Sequence, residues 1–160
     1  MVAASQRWEV HYIDVVTAVL NLLIDHVVYM ELLEGISWLD SSLSKLRSPC
    51  CQLKKALYGL KQAPRLWYKH IDTVLKSIEF WQSVNDPNLY MHTSPHSAIS
   101  DILILLFVDD LLITANNLKK ITEVRVLLKH KYRMNNLGRV QQFLGLLISQ
   151  PSTYTILLHQ

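Results

Sequence analysis

Apolar runs alternate with short polar breaks along the chain, and their spacing predicts its elements. Trp8 to Val16 is rich in aromatic and β-branched residues and reads as a strand ending near Asp14. Val19 to Tyr29 fits a helix or a strand equally well, and Leu53 to Leu60 is a short segment running into a Tyr58-Gly59 turn. Trp67, Ile71, Val74, Leu75 and Ile78 then recur at helical spacing, with Pro64 suited to the first helical turn. Asn88 to Thr93 reads as a short strand between Asp86-Pro87 and a turn at Ser94-Pro95-His96-Ser97. Asp101 to Val108 and Leu111 to Thr114 read as two strands of a hairpin. Leu118, Ile121, Val124, Leu127 and Leu128 mark an amphipathic helix over 118–132. Gln142 to Ile148 and Tyr154 to Leu158 read as a closing hairpin across Pro151-Ser152. The stretch 34–49, with Gly35, Asp40, Ser41, Ser42, Ser44 and Ser48, reads as a loop or weak helix.

The order is strand, long insert, helix, two strands, helix, strand, then a hairpin. This predicts an α+β fold on a split βαββαβ plan, an antiparallel sheet with two main helices on one face. No repeat or linker divides the chain, so residues 1–160 are expected to form a single domain.

Composition narrows the function classes. Half of the 160 residues are apolar and 18% are charged, enough for a core and too ordered a mixture for a disordered tail. The net charge of +3 permits a polyanionic partner without demanding one. No apolar run is long enough for a membrane span, so no membrane partner is expected. The N-terminus lacks the pattern of a secretory signal. Cys50 and Cys51 are adjacent, suited neither to a mutual disulfide nor, alone, to a zinc site. An intracellular setting follows as the expectation, with cytoplasm and nucleus not distinguished. His92 and His96 are separated by Pro95, which argues against a helical metal pair.

The segment LLFVDDLLIT, residues 105–114, raises the chemical question. An ionised carboxylate taken out of water without a partner costs several kcal/mol, on the order of the effective penalty in real proteins. Asp109 and Asp110 sit side by side in an apolar run. One reading is a hairpin tip in solvent, since aspartate tolerates turns. The other is a turn presenting carboxylates to a divalent cation, which Mg2+ accepts from one or two carboxylates plus substrate phosphates. Asp14 ends its own apolar strand with no nearby Lys or Arg, and a split plan sets that strand beside the hairpin.

Several strings resemble one family in order. WEVHYIDVVTAVLN, VYMELLEGI, CQLKKALYGLKQAPRLWY, DPNLY, ILILLFVDDLLITA and the pair NNLG and FLGLLI resemble the reverse transcriptase domain of copia-type retrotransposon polyproteins. The long string from Cys51 to Tyr68 is the most specific. The resemblance implies a polymerase palm that copies an RNA or DNA template-primer with deoxynucleoside triphosphates and two Mg2+ ions, Mn2+ being the alternative. It implies that Asp14 and Asp109 ligate the metals, with Asp110 in support. Val19, Tyr58, Gly59, Leu60 and Lys61 fall at nucleotide and template positions, and Phe143, Leu144 and Gly145 at the primer grip. Lys54, Lys55, Arg65 and Lys69 extend a basic stretch suited to phosphate or to a solvated face.

The chain also departs from the family wording. Val19 stands for a usual Phe, Val16 for Lys, Leu22 for the Gly of a turn, Leu33 for Pro and Glu79 for Gly. Leu22 is expected to be the most disruptive, because a turn with positive φ disfavours a bulky side chain. Fingers before Met1, and a thumb and ribonuclease H after Gln160, are expected to be missing, which would leave a weak or inactive fragment partnered by the rest of a polyprotein. The alternatives are a non-catalytic nucleic-acid-binding remnant on the same plan and a pseudogene product. Binding modules of that plan carry aromatic residues on central strands, whereas Ile102 to Val108 carries only Phe107.

Overall fold

Alternation of buried and half-buried positions builds a central antiparallel sheet in the computed structural model, which describes residues 2–33, 50–93, 100–152 and 155–159. The expectations for 34–49, for the turn at Ser94–Ser97 with His96, and for Tyr154 lie outside the described residues. The elements are α1 (Val2–Ser5), β1 (Glu9–Val15), a 3-10 turn (Ala18–Asn21), β2 (Tyr29–Glu31), β3 (Cys50–Gln52), α2 (Ala63–Ser77), β4 (Trp81–Gln82) and β5 (Leu89–His92). They continue with β6 (Ile102–Phe107), β7 (Asp110–Ala115), α3 (Leu118–Lys129), β8 (Met134–Arg139), β9 (Gln142–Phe143), β10 (Leu146–Ser152) and β11 (Thr155–His159). The main sheet has the order β4-β5-β6-β7-β1-β8, with every neighbouring pair antiparallel. The fold is α+β, and two smaller antiparallel sheets, β11-β10-β9 and β2-β3, complete it.

One face of the sheet carries the core. Ile13, Val15, Ile104, Leu106, Leu111 and Ile113 pack in one cluster with Trp67, Ile71 and Leu75 of α2 and Ile121, Val124 and Leu128 of α3. On the other face, Val10, Leu103, Leu105 and Leu112 line a cavity of about 380 Å³ together with Ile148, Ile156 and Leu158 of the C-terminal strands. Strand β6 is thus covered on both faces, which is why it reads as an unbroken apolar run rather than an alternation. Among the described residues no helix is long and apolar enough to cross a membrane.

Several expectations need correction. Leu118 and Leu127 are exposed. At about 100° per residue each lies roughly 90° from the middle of the stripe made by Ile121, Val124 and Leu128. The ambiguous Val19–Tyr29 region is neither a long helix nor a long strand. It begins in the 3-10 turn and reaches β2 through a single bridge, Leu23 to Lys55. Leu22 is not in a positive-φ turn: it is extended (φ −97°, ψ 140°) and buried. The left-handed residue of that segment is Thr17, φ 53°. The C-terminal segment breaks after Phe143, so that β9 and β10 pair across Leu144-Gly145. Pro151 and Ser152 belong to β10, where the pairing register with β11 shifts between Ser149 and Ser152 and so tolerates a proline.

Helix α2 ends in a glycine-type motif without glycine. The Phe80 amide donates to Leu75 O and the Glu79 amide to Lys76 O, both at 3.1 Å, the paired bonds of a Schellman cap. Glu79 occupies the left-handed position at φ 67°, while Phe80 and Leu75 are buried together. Replacing Glu79 by Gly is expected to raise stability by about 1 kcal/mol, because the penalty of a Cβ in this conformation is removed. A urea titration reads it, and a lower midpoint would count against the cap assignment.

The outer edge of the sheet is tied by charge. Arg139 of β8 donates to Glu9 Oε1 at 2.5 Å, and this bond, with that of His11, holds the Glu9 carboxyl below its usual 4.5. A depressed acid stabilises the fold above its unfolded value and loses that contribution as pH falls through its folded value. The pair is part-exposed, so less than about 1 kcal/mol is at stake. Acid titration of stability is expected to be shallower below pH 4.5 in Glu9→Gln than in the parent chain.

Candidate active site

The β6–β7 ladder runs from Ile102 opposite Ala115 to Phe107 opposite Asp110, leaving Val108 and Asp109 as the two central residues of the turn. Val108 has φ 52°, and Asp109 is not among the positive-φ residues. That is the pattern of a type II′ turn, whose first central residue is ordinarily glycine. A β-branched residue there is a backbone outlier costing about 1–3 kcal/mol. Two contacts from outside the hairpin hold it. Trp67 Nε1 of α2 donates to Val108 O at 2.5 Å, and the Val15 amide of β1 donates to Asp109 O at 2.8 Å. Trp67 is itself fixed in the core, with the Tyr132 ring edge-on at 5.3 Å between centroids.

Strand β1 runs antiparallel to β7 with Asp14 directly opposite Asp110. Such a pair projects to one face with Cβ atoms roughly 5 Å apart. Asp14, Asp109 and Asp110 are all half-buried. Each accepts from a neutral donor: Asp14 Oδ2 from Asn135 Nδ2 at 3.0 Å, Asp109 Oδ2 from Tyr58 Oη at 3.1 Å, and Asp110 Oδ1 from Tyr12 Oη at 2.5 Å. Among the described residues none of the three forms an ion pair with Lys, Arg or His. Burial, the bond to Asp110 and the charges of Asp14 and Asp109 push the Tyr12 hydroxyl well above its ordinary value. Burial and the Asp109 charge raise Tyr58 likewise, opposed by a hydrogen bond from the Val19 backbone. Both phenols therefore stay protonated donors.

The donor set among the described residues suits a hard divalent cation such as Mg2+ or Mn2+: carboxylate oxygens, no thiolate, and no cation already neutralising them. Asp14 and Asp110 face one another across the ladder, and Asp109 is the turn residue just before Asp110. Among the described residues no group of three His, Cys, Asp or Glu is already gathered at ligating geometry.

The remaining expected positions divide. Tyr58 reaches the carboxylates. Gly59 is left-handed at φ 91° with open space around it, so its glycine is required by the turn rather than by a close protein neighbour. Leu60 is half-buried against the core, and Lys61 is exposed just before α2. The side chain of Val19 is buried in the core, and only its backbone approaches the site. Phe143 is buried and meets Tyr12 edge-on, with centroids 5.8 Å apart. Leu144 and Gly145, at φ 50° and 82°, form the exposed turn beyond it. Tyr12 and Asn135 were not expected. Strand period would have found Tyr12, two residues before Asp14 and hence on the same face. Asn135 lies on β8, whose sequence Met-Asn-Asn-Leu-Gly-Arg carries little strand signal.

Comparison with known proteins covers nearly the whole chain. The family model described as reverse transcriptase (RNA-dependent DNA polymerase) matches residues 1–160. A retrovirus-related Pol polyprotein from transposon TNT 1-94 of Nicotiana tabacum is 36% identical over 94% of this chain and 11% of its own length. A putative transposon Ty5-1 protein of Saccharomyces cerevisiae is 37% identical over 91% of this chain and 44% of its own length. A Pol polyprotein from transposon RE2 of Arabidopsis thaliana is 32% identical over 91% of this chain and 9% of its own length. The chain thus spans about a tenth of the polyproteins, and less than half of the yeast protein.

Trp67→Phe keeps most of the buried ring but leaves the strained Val108 carbonyl without its donor. A loss of roughly 1–3 kcal/mol in unfolding free energy is expected. Calorimetric melting checks it, and an unchanged midpoint would mean that the turn does not depend on this bond.

Proposed function

The chain belongs to the reverse transcriptase family of copia-type retrotransposon polyproteins, and on that premise we propose that its carboxylate turn is the nucleotidyl-transfer site of an RNA-directed DNA polymerase. The observation that carries the proposal is the β1–β7 register, which sets Asp14 opposite Asp110, the residue that follows Asp109 in the hairpin turn, with no ion-paired cation on the three among the described residues. The order β6-β7-β1-β8 within the main sheet, with α2 and α3 sharing the core, supports reading this part as the split βαββαβ plan of a palm. We take the chain as a single palm-like domain.

In this reading Asp14 and Asp109 hold two Mg2+ or Mn2+ ions and Asp110 supports them. When bound, the metals supply activation of the attacking 3′-oxygen and neutralisation of the leaving pyrophosphate. The chain's own residues do the positioning. Tyr58 and Asn135 orient Asp109 and Asp14 through the bonds already described. The exposed Lys61, with Arg65 and Lys69 on the outer side of α2, offers charge to template or nucleotide phosphates. Leu144 and Gly145 present an exposed turn to the primer end.

Weak synthesis by this chain alone is part of the proposal. The binding-module alternative is not favoured, because the face that would stack bases carries three carboxylates.

Primer extension on an RNA template tests the reading. Slow, Mg2+- or Mn2+-dependent extension is expected. Chelation should abolish it and renewed metal restore it, while Asp14→Asn and Asp109→Asn should each reduce it to background. Extension that persists in either variant would sink the assignment, as would tight single-strand binding indifferent to metal and to both substitutions, which marks a binding module.

A further inference from the structure

Tyr12 touches both the Asp110 carboxylate and the β9–β10 hairpin. Its hydroxyl donates to Asp110 Oδ1 at 2.5 Å. Its ring meets Phe143 nearly perpendicularly, at 89° and 5.8 Å between centroids. Phe143 is the last residue of β9, immediately before the Leu144-Gly145 turn. Tyr12 also lines a cavity of about 230 Å³ with Leu137, Arg139, Gln141 and Gln142, between β1 and the chain that leads from β8 into β9.

An aspartate carboxyl turns in a broad torsional well, so its orientation is set by what it bonds to. For Asp110 that donor is a stiff phenol whose ring is stopped by Phe143. A shift of the hairpin must therefore move the ring edge and, through the hydroxyl, the carboxylate. The carboxylate in turn sits opposite Asp14 and next to Asp109 in the chain.

We propose that Tyr12 is a positioning residue that couples the seat of the Phe143 hairpin to the orientation of Asp110, so that a shift of that hairpin tunes divalent-metal binding at Asp14 and Asp109. The inference rests on the reading of the carboxylates as a metal site. It adds a residue that touches no metal and a direction in which information passes.

The test is Mn2+ affinity of the full chain by titration calorimetry, with near-UV circular dichroism to confirm the fold. Tyr12→Phe, which removes one oxygen and keeps the ring, is expected to weaken Mn2+ binding about tenfold or more, as loss of an outer-shell partner does. Phe143→Leu is expected to weaken it in the same direction without any contact to a carboxylate, with Phe143→Met in its place should the leucine variant not fold. The double variant should bind no worse than Tyr12→Phe alone, because both changes act through one bond. Unchanged affinity in Tyr12→Phe, or simple additivity in the double variant, overturns the coupling while leaving the metal site standing. Absence of Mn2+ binding in the parent chain, or its persistence in Asp109→Asn, overturns the metal-site reading and this inference with it.

Discussion

The two-residue turn at Val108-Asp109 is the constraint on which the site depends. A valine in a conformation made for glycine does not persist unless its surroundings over-determine it. Here a helix and a neighbouring strand each donate to one of the turn's carbonyls, Trp67 to Val108 and Val15 to Asp109. Because both central residues are spent on the turn, the ladder resumes at Asp110, and that fixes which β7 residue faces Asp14. A slip of one position would send every side chain of β7 to the opposite face. Leu111 and Ile113 would leave the core as the carboxylate entered it.

Electrostatics runs against this arrangement and is offset only in part. Two carboxylates about 5 Å apart repel by up to roughly 3 kcal/mol at an effective dielectric near 20, before further screening by water. Each of the three accepts one hydrogen bond from a neutral group, and a bond to a charged group contributes about 1.5–3 kcal/mol. That holds the carboxylates in place without cancelling their charge. A salt bridge would cancel it. Arg139 lies on the adjacent strand but pairs with Glu9, at the other end of β1 from Asp14. Among the described residues the negative potential of the three carboxylates is left uncancelled.

The fold was legible wherever burial is one-sided. The helical stripe of Trp67, Ile71 and Leu75 and the paired runs around Asp109-Asp110 gave α2 and the central hairpin nearly to the residue. Strand β8 was hidden, because an edge strand of asparagine, glycine and arginine is held by its neighbour and by Asn135 and Arg139 rather than by apolar periodicity. The candidate carboxylates stand out in the sequence, because their cost in an apolar run demands a reason, but their hydrogen-bond donors do not. Nothing local to Tyr12 or Asn135 announces a partner 98 or 121 residues away along the chain. The expectation for Leu22 failed for a different reason. A family's glycine marks a conformation only if this chain adopts it, and here the backbone is extended and the leucine fills the core.

The placement of backbone strain supports the same centre. Among the described residues, the non-glycine positions with positive φ are Arg7, Thr17, Glu79, Val108 and Leu144. Glu79 is explained by its helix end, and Arg7 lies just before β1. The other three mark the candidate site: Thr17 follows Asp14 by three residues, Val108 precedes Asp109, and Leu144 follows Phe143 in the hairpin that contacts Tyr12. Glycine would relieve each, and Leu144-Gly145, with φ positive at both central residues, is the turn type that most favours Asn-Gly. A side chain retained at such a position is set at a fixed angle on a backbone that has few alternatives. For Leu144, half-exposed at the tip of its hairpin, that means an apolar group held out toward whatever rests there. Rigid turns on both sides of the carboxylates, rather than the carboxylates alone, fix the geometry of this face.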